Sequence, residues 1–252
     1  MTKIPYFSII TVCYNSEETI QATLRSVSSQ KFTDYEHLII DGGSQDATLD
    51  AIQELQTSLT KVISEPDGGI YDAINKGLKL SLGEVVVILH SDDSFADQDV
   101  LHDLHKIFLE TDADIVYSSI EFIRPDNTSA ATWVPTNFQH GDYRSGFHTP
   151  HPGFFAKSIL YDKLGFFDLG MPIAADFDLM YRFMEHSSTK SVKLDKITVN
   201  MRADGESSSL RNIFQGFLDI RRALKKQGEN VFLPIYYLRR YAPKIGRKFK
   251  TG

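Results

Sequence analysis

Residues 85–93 read Val-Val-Val-Ile-Leu-His-Ser-Asp-Asp, and no other stretch constrains the fold as tightly. The apolar run is too short for a typical helix and has no alternating polar face, so it is expected to be a strand buried on both sides. Such strands belong to parallel sheets covered by helices, whose ligands collect outside the carboxyl ends of the strands. Asp92 and Asp93 stand at that end. Adjacent carboxylates there are poor core residues and good ligands for Mg²⁺ or Mn²⁺, which usually also take oxygens from substrate phosphates. The alternative is a strand-to-helix turn in which one of them merely caps the next helix.

The surrounding chain repeats the pattern. Residues 7–14 (FSIITVCY) read as a first buried strand, and Asn15 or Ser16 can cap a helix carrying Ile20, Leu24 and Val27 at helical spacing. Residues 36–40 form a second strand ending at Asp41, then Gly42-Gly43-Ser44 and a helix opening near Asp46. Residues 60–65 give a short third strand, followed by Pro66-Asp67-Gly68-Gly69 and a helix over 70–81. Past Asp93, a helix starts at Asp97 or Asp99 with Leu101, Leu104, Ile107 and Phe108 on one face, and residues 113–122 are a further strand. Alternating strands and helices predict an α/β sandwich with a mostly parallel sheet.

The alternation lapses after residue 123. Arg124 to Asn127 reads as a hairpin turn, 133–152 as loop, 153–155 as strand and 158–164 as a short helix. Residues 176–186 look helical, 190–201 extended and 211–227 an amphipathic helix with Ile213, Phe217, Ile220 and Leu224 along one face. One domain over 1–230 is expected, with a nucleotide-binding half (1–122) and a smaller mixed acceptor-side half (123–230), then a tail over 231–252.

Composition narrows the function. A formal charge of −6 argues against a general nucleic-acid binder. The single cysteine, Cys13, excludes an intramolecular disulfide and lies in an apolar run, where a buried inert thiol is expected. No segment approaches membrane-spanning length and the N-terminus lacks a cleavage site, so a cytoplasmic location is the expectation. The tail differs from the acidic body: Arg239, Arg240, Lys244, Arg247, Lys248 and Lys250 interleave with Ile235, Tyr236, Tyr237, Leu238, Tyr241, Ile245 and Phe249. That mixture suits peripheral contact with an anionic membrane, although Pro243 is expected to interrupt any long helix and the alternative is a solvated tail.

Asp41, Asp67, Asp92 and Asp93 all fall just beyond expected strands. Carboxylates converging on one sheet edge repel unless a cation or hydrogen-bond donors compensate. Gly42-Gly43 is a turn where a ligand can approach the backbone; Asp41 there either accepts hydrogen bonds from a ribose or base or closes an Asx turn. Gly68-Gly69 offers backbone N–H groups ahead of a helix, and Lys76 on that helix either meets a phosphate or is solvated.

The runs SIITVCYNSEETI, HLIIDGGSQDAT and SEPDGGIYDAINKGLKLSLGEVVVILHSDD resemble the family 2 glycosyltransferases, nucleotide-sugar-dependent enzymes with the GT-A fold. The similarity covers the first hundred residues and resumes at FDLGMPIAADFDLMYRF and RADGESSS; bacterial enzymes of exopolysaccharide, capsule or O-antigen assembly are the nearest in flavour. The resemblance implies that Thr11, Cys13, Tyr14 and Asn15 border the base and that Asp41 holds base or ribose. It implies further that Ser91 and Asp92 lie by the ribose and diphosphate, that Asp93 binds Mn²⁺ or Mg²⁺, and that Asp176 is the general base of an inverting enzyme. Arg202 and the Gly205-Glu206-Ser207 loop would close over the diphosphate. The donor would be a UDP-sugar and the acceptor a saccharide or lipid-linked hydroxyl. His90, Ala175 and Ile74 depart from the commoner Asn or Asp, Glu and Arg; with Ile74 in place of Arg, Lys76 would partly serve the diphosphate.

Chemistry fits those roles. A departing diphosphate develops charge that a divalent cation offsets, and the attacking hydroxyl must lose a proton to a nearby base. Asp176 and Asp178 both start a helix, where carboxylates are favoured in any protein, but two positions apart they face differently; Asp178 is expected to cap or pair locally. His148 and His151 are spaced as a metal pair, yet the intervening prolines oppose helical geometry, and a loop near the acceptor is preferred. Trp133 and the Tyr and Phe residues of 143–167 could stack on sugars or fill core. Two other readings stand beside transfer: a nucleotidyltransferase acting on sugar phosphates, which would release pyrophosphate, and a non-catalytic nucleotide-sugar scaffold.

Overall fold

The computed structural model describes residues 4–203 and 210–245. Four strands, β1 (Phe7–Cys13), β2 (Tyr35–Asp41), β3 (Thr60–Ser64) and β4 (Val85–Ile88), pair in parallel in the order β3-β2-β1-β4. Helices α1 (Ile20–Ser28), α2 (Thr48–Leu55) and α3 (Ile70–Leu80) make the crossovers. The side chains of β4 divide by parity: Val86 and Ile88 join the core that includes Ala73, Ile74 and Leu78 of α3, whereas Val85, Val87 and Leu89 join the opposite one. With a core on each face, a polar alternation has no place in the run. Close helix contact demands a glycine: a Cβ on Gly77 of α3 would lie 2.5 Å from Ile10 Cγ2.

Beyond β4 come β5 (Ser94–Phe95), α4 (Val100–Thr111), β6 (Ile115–Ile123), β7 (Ser129–Trp133), β8 (Phe154–Lys157), α5 (Ser158–Leu164), α6 (Ala175–Met184), β9 (Ser191–Arg202), α7 (Leu210–Lys226) and α8 (Leu233–Ile245). Strand β6 does not neighbour β4 directly. β8 inserts between them, antiparallel to both, through Val85↔Lys157 and Val116↔Phe155. β9 then pairs with β6 in parallel, β5 closes that edge, and β7 forms the expected hairpin with β6. β1, β2, β3, β4, β6 and β9 run one way, so the sheet is mostly parallel, as expected, and its antiparallel strands, β5, β7 and β8, all come after β4 in the chain.

One alternative falls and one expectation is corrected. Neither Asp92 nor Asp93 caps a helix: α4 opens after Asp99, as expected, and Ser94 and Phe95 form β5, bonded to β9 through Ser94↔Asn200 and Phe95↔Val199. Helix α8 continues through Pro243 to Ile245, so the proline does not interrupt it within the described residues; Pro243 forgoes one backbone donor there. Tyr236 and Arg240 turn inward from α8, while Ile235, Leu238 and Arg239 face outward. Tyr237 donates to the Phe217 carbonyl at 2.8 Å and its ring meets Phe217 edge-on, tying α8 to α7.

Candidate active site

The strand ends and their loops are stitched together by short side chains. Leaving β1, Tyr14 is 62% exposed and Asn15 adopts a left-handed φ of 47°. The Asn15 amide donates to Ser44 Oγ at 2.8 Å, and its side-chain oxygen accepts from the Gln45 amide at 2.9 Å. The Ser16 amide donates to Thr48 Oγ1, and the Ser16 and Ser91 hydroxyls bond at 2.9 Å, linking the loop after β1 to the one after β4.

Asp41 lies wholly inside this network. Its carboxylate accepts from the Gly43 and Ser44 amides and from the Ser44 and Ser64 hydroxyls. Burial pulls its pKa upward, but the bonds from Ser44, Ser64 and Gly43 outweigh it and hold the group below the usual carboxylate range. Asp41 thus builds the Asx-type turn and presents no surface to a ligand.

The group at the surface is Asp67. A Cβ on Gly42 would fall 2.6 Å from Asp67 Oδ2 and 3.3 Å from Tyr14 Cδ2, so the missing side chain leaves a notch between an exposed ring and a carboxylate. Two other residues expected to border the base point away. Thr11 is fully buried, its hydroxyl bonded to His37 Nε2 at 2.9 Å. Cys13 is buried, and burial together with Asp41 raises its thiol pKa, leaving it inert as expected. Lys76 bonds the Pro66 carbonyl at 2.8 Å and pairs with Glu65 at 2.9 Å, so it braces the loop before α3.

Asp93 is 1% exposed, and neither carboxylate oxygen has a hydrogen-bond partner among the described residues. Burial, then the neighbouring charge of Asp92, pushes its pKa well above the carboxylate range; the Arg202 backbone amide pulls the other way without reaching hydrogen-bond geometry. Its position is enforced by the backbone: the Asp93 carbonyl accepts from Thr23 Oγ1 at 2.7 Å, and β5 begins at the next residue. An orphaned buried carboxylate beside half-buried Asp92 fits a divalent cation. No three His, Cys, Asp or Glu side chains converge on a common point among the described residues. A cation held here would therefore draw most of its ligands from diphosphate and water, as Mg²⁺ and Mn²⁺ commonly do.

Asp176 lies in the first turn of α6. Its Oδ1 accepts from the Phe177 amide at 2.8 Å and from Tyr71 Oη at 3.3 Å; Tyr71 Oη also lies 2.9 Å from the Ile173 carbonyl. Oδ2 has no partner among the described residues. Burial raises the Asp176 pKa, opposed by the Phe177 amide, Arg240, Tyr71 and His90. The His90 and His151 rings are 5.8 Å apart. Both pKa values fall to about 4, through burial and, for His90, the neighbouring His151, so both rings are neutral near pH 7. Asp92 and Asp176 both act on His90 electrostatically, pulling its pKa up against burial. Asp178 is separate: buried, it pairs with Arg182 at 2.8 Å.

Residues 8–165 match the family model described as Glycosyl transferase family 2. The chain belongs to that family. It is 30% identical over 198 residues to an uncharacterized glycosyltransferase of Mycobacterium tuberculosis (strain CDC 1551 / Oshkosh), covering 72% of this chain and 70% of that protein. It is 30% identical over 188 residues to a PGL/p-HBAD biosynthesis glycosyltransferase of Mycobacterium bovis (strain BCG / Pasteur 1173P2), covering 71% and 69%. In fold it matches S. aureus TarS 1–349 in complex with UDP-GlcNAc, with a TM-score of 0.72 at 19% identity over 94% of this chain and 72% of the other. It also matches the mannosyltransferase PcManGT of Pyrobaculum calidifontis in complex with GDP-Man and Mn²⁺, at TM-score 0.66, 19% identity and coverage of 95% and 70%. The protein is a glycosyltransferase with the GT-A architecture expected from its motifs.

Three residues that act on Asp176 carry little motif signal. His90 stands out in sequence only as a departure, though its place beyond β4 marks it. Tyr71 has no sequence signal, because its bond to Asp176 joins distant segments. Arg240 reads as part of a solvated tail, yet its guanidinium carbon sits 4.8 Å from the Phe177 ring centroid. Arg202 ends β9 beside β5, and the Gly205-Glu206-Ser207 loop expected over the diphosphate lies outside the described residues, as do Arg247, Lys248, Phe249 and Lys250.

Proposed function

We propose that this enzyme moves a sugar from a UDP-sugar to a hydroxyl of a saccharide or lipid-linked acceptor, inverting the anomeric centre, in assembly of a bacterial surface polysaccharide. The observation that carries the reading is the orphaned, buried Asp93 carboxylate beyond β4, together with Asp176, whose Oδ2 has no partner among the described residues and whose charge, like that of Asp92, acts on His90. Residues 1–122 form the donor half and 123–230 the acceptor half. The base and ribose rest in the notch between Tyr14 and Asp67 over Gly42, with Asn15 and Ser91 bordering it and Asp41 fixing the turn beneath. Solved relatives of like fold support a nucleotide-sugar donor: TarS carries UDP-GlcNAc, PcManGT carries GDP-Man with Mn²⁺, and GalNAc-T7 carries UDP with Mn²⁺.

Asp93, with Asp92 beside it, would hold Mn²⁺ or Mg²⁺. When bound, such a cation offsets the negative charge of the departing diphosphate. Arg202, at the end of β9, adds positive charge near the leaving group, and Ser91 keeps the loop after β4 joined to that after β1. Asp176 Oδ2 accepts the proton of the acceptor hydroxyl as its oxygen bonds to the anomeric carbon, opposite the leaving diphosphate. One base then suffices and no covalent intermediate forms. Tyr71 and the Phe177 amide hold Oδ1 so that Oδ2 faces the acceptor. Neutral His90 and His151 shape the cleft wall without competing for the proton.

Phe214 and Leu218 of α7 and Ile235 and Leu238 of α8 are exposed, with Arg239 near the last two. We place this face against the cytoplasmic leaflet of a membrane that carries the acceptor. No helix among the described residues is long and apolar enough to cross a membrane, and peripheral contact needs none.

Asp176→Ala tests the reading. It should leave thermal stabilisation by UDP with Mn²⁺ intact and lower transfer by about 10²–10⁴-fold, the usual contribution of a general base. Unchanged transfer would remove Asp176 from the mechanism. Release of pyrophosphate from a nucleoside triphosphate would favour nucleotidyl transfer, and nucleotide binding without turnover in the unaltered protein would favour a scaffold.

A further inference from the structure

Arg240 projects from α8 into the body of the protein and is only 6% exposed. Its Nε and Nη1 are sealed from solvent and donate to nothing among the described residues, where it makes no ion pair. A guanidinium cannot shed its proton in a protein, so the charge persists. Leaving a buried charge unpaired is strongly unfavourable, and stacking over Phe177 offsets only part of that. The position is nonetheless closely packed. A Cβ on Gly146 would come within 2.9 Å of the Arg240 backbone nitrogen, so the loop at Gly146 and α8 are pressed together.

Phe177, under the guanidinium, directly follows Asp176, and Arg240 acts electrostatically on Asp176. A second orphan lies in the same region. Thr149 is fully buried with an unpartnered hydroxyl, and it adjoins His148, whose ring centroid is 6.5 Å from that of Phe177. Arg240 and Thr149, both without a hydrogen-bond partner at these atoms among the described residues, thus lie on segments that meet at Phe177, next to Asp176.

We infer that Arg240 is the anion-recognition residue of the acceptor subsite, and that the acceptor carries an oxyanion, a carboxylate or a phosphate, near the hydroxyl that receives the sugar. This rests on Asp176 as the base; that assignment makes the Arg240 side the acceptor side. A planar guanidinium is the side chain best matched to either oxyanion, and its hydrogen bonds to charged oxygens are the strong kind. A neutral acceptor would leave the charge as unpaired as it is in the free enzyme.

The deciding experiment tracks the Arg240 Nε–H resonance in ¹⁵N-arginine-labelled protein, assigned by its loss in Arg240→Lys. The protein is titrated with inorganic phosphate, with D-glucuronate and with D-glucose. A saturable shift with at least one anion and none with glucose is expected, together with at least about tenfold weaker anion binding in Arg240→Met. Glucuronate alone would identify a uronic-acid acceptor; phosphate alone would identify a phosphate ester. No saturable shift with either anion, or unchanged affinity in Arg240→Met, would overturn the proposal. If Arg240→Met melts below the assay temperature, Arg240→Lys takes its place, since an ammonium should keep weakened binding without the planar fork. Asp176→Asn separates the two readings: it should bind the anion normally while losing transfer. Retained transfer in that variant would sink the acceptor assignment, whatever Arg240 binds.

Discussion

Asp93→Asn should make the protein more stable when it is empty and less responsive when it is loaded. The Asp93 side chain is sealed, and both of its oxygens lack partners among the described residues. An unsatisfied buried polar group costs about 1–3 kcal/mol, and more if it is charged. Burial and Asp92 push the Asp93 pKa up, so the empty protein bears the cost of a buried charge or of the proton uptake that removes it. Asparagine keeps the shape and an unpaired polar end but bears neither, so the expected gain is on the order of 1–2 kcal/mol. For a chain of this size each kcal/mol moves the melting temperature by about 2–4 °C, giving a rise of roughly 2–8 °C with chelator present. The order should reverse with ligand. UDP and Mn²⁺ at about a hundred times their dissociation constant would stabilise the unaltered protein by about 2.7 kcal/mol through mass action, and the variant should lose most of that. Differential scanning fluorimetry with chelator, with Mn²⁺ and with Mn²⁺ plus UDP reads all of this in one plate. A variant that melts lower than the parent in chelator, or gains as much from UDP and Mn²⁺, would refute the argument that this carboxylate is held in reserve for a cation.

Two further substitutions probe the carboxylates of α6. Tyr71→Phe removes a donor to Asp176 Oδ1, and Tyr71 is among the groups that lower the Asp176 pKa against burial. The acid limb of the kcat/KM profile should therefore move to higher pH, with the plateau above it less affected; a limb that stays or moves down would exclude Asp176 as the titrating group. Asp178→Ala breaks a buried pair with Arg182, which typically costs about 3–5 kcal/mol. Arg182 keeps the Leu164, Gly165 and Phe166 carbonyls, so the low end is expected, a drop of roughly 6–12 °C in melting temperature with transfer per folded molecule retained.

What is legible in the sequence is direction along the chain. An apolar run ending in carboxylates places those carboxylates at the end of a buried strand, and Asp41, Asp92 and Asp93 lie at the ends of β2 and β4 accordingly. Which way each group points is not legible. Along β1 side chains alternate, so Thr11 sits next in motif to the site yet faces His37. Asp41 and Asp93 look alike in sequence. One is saturated by Ser44 and Ser64, which fold back beside it, while the other is orphaned among the described residues.

The strand with least local signal is β5, which has two residues and exists because β9 offers an edge; β8 is expected as a strand at 153–155, but its place in the gap between β4 and β6 is not. These same nonlocal pairings aim the chemistry. β5 locks the backbone just after Asp93 against the end of β9, and α8 returns from late in the chain to set Arg240 over Phe177, next to Asp176. A carboxylate becomes a ligand or a base through the groups packed against it. Asp93 is positioned by Thr23 and the β5–β9 pairing, and Asp176 by Tyr71 of α3 with Arg240 of α8 nearby. Each of those partners is distant in sequence, so a loop must close before any of them can act. Function at this cleft is therefore a property of the folded sheet edge, and no single motif carries it alone.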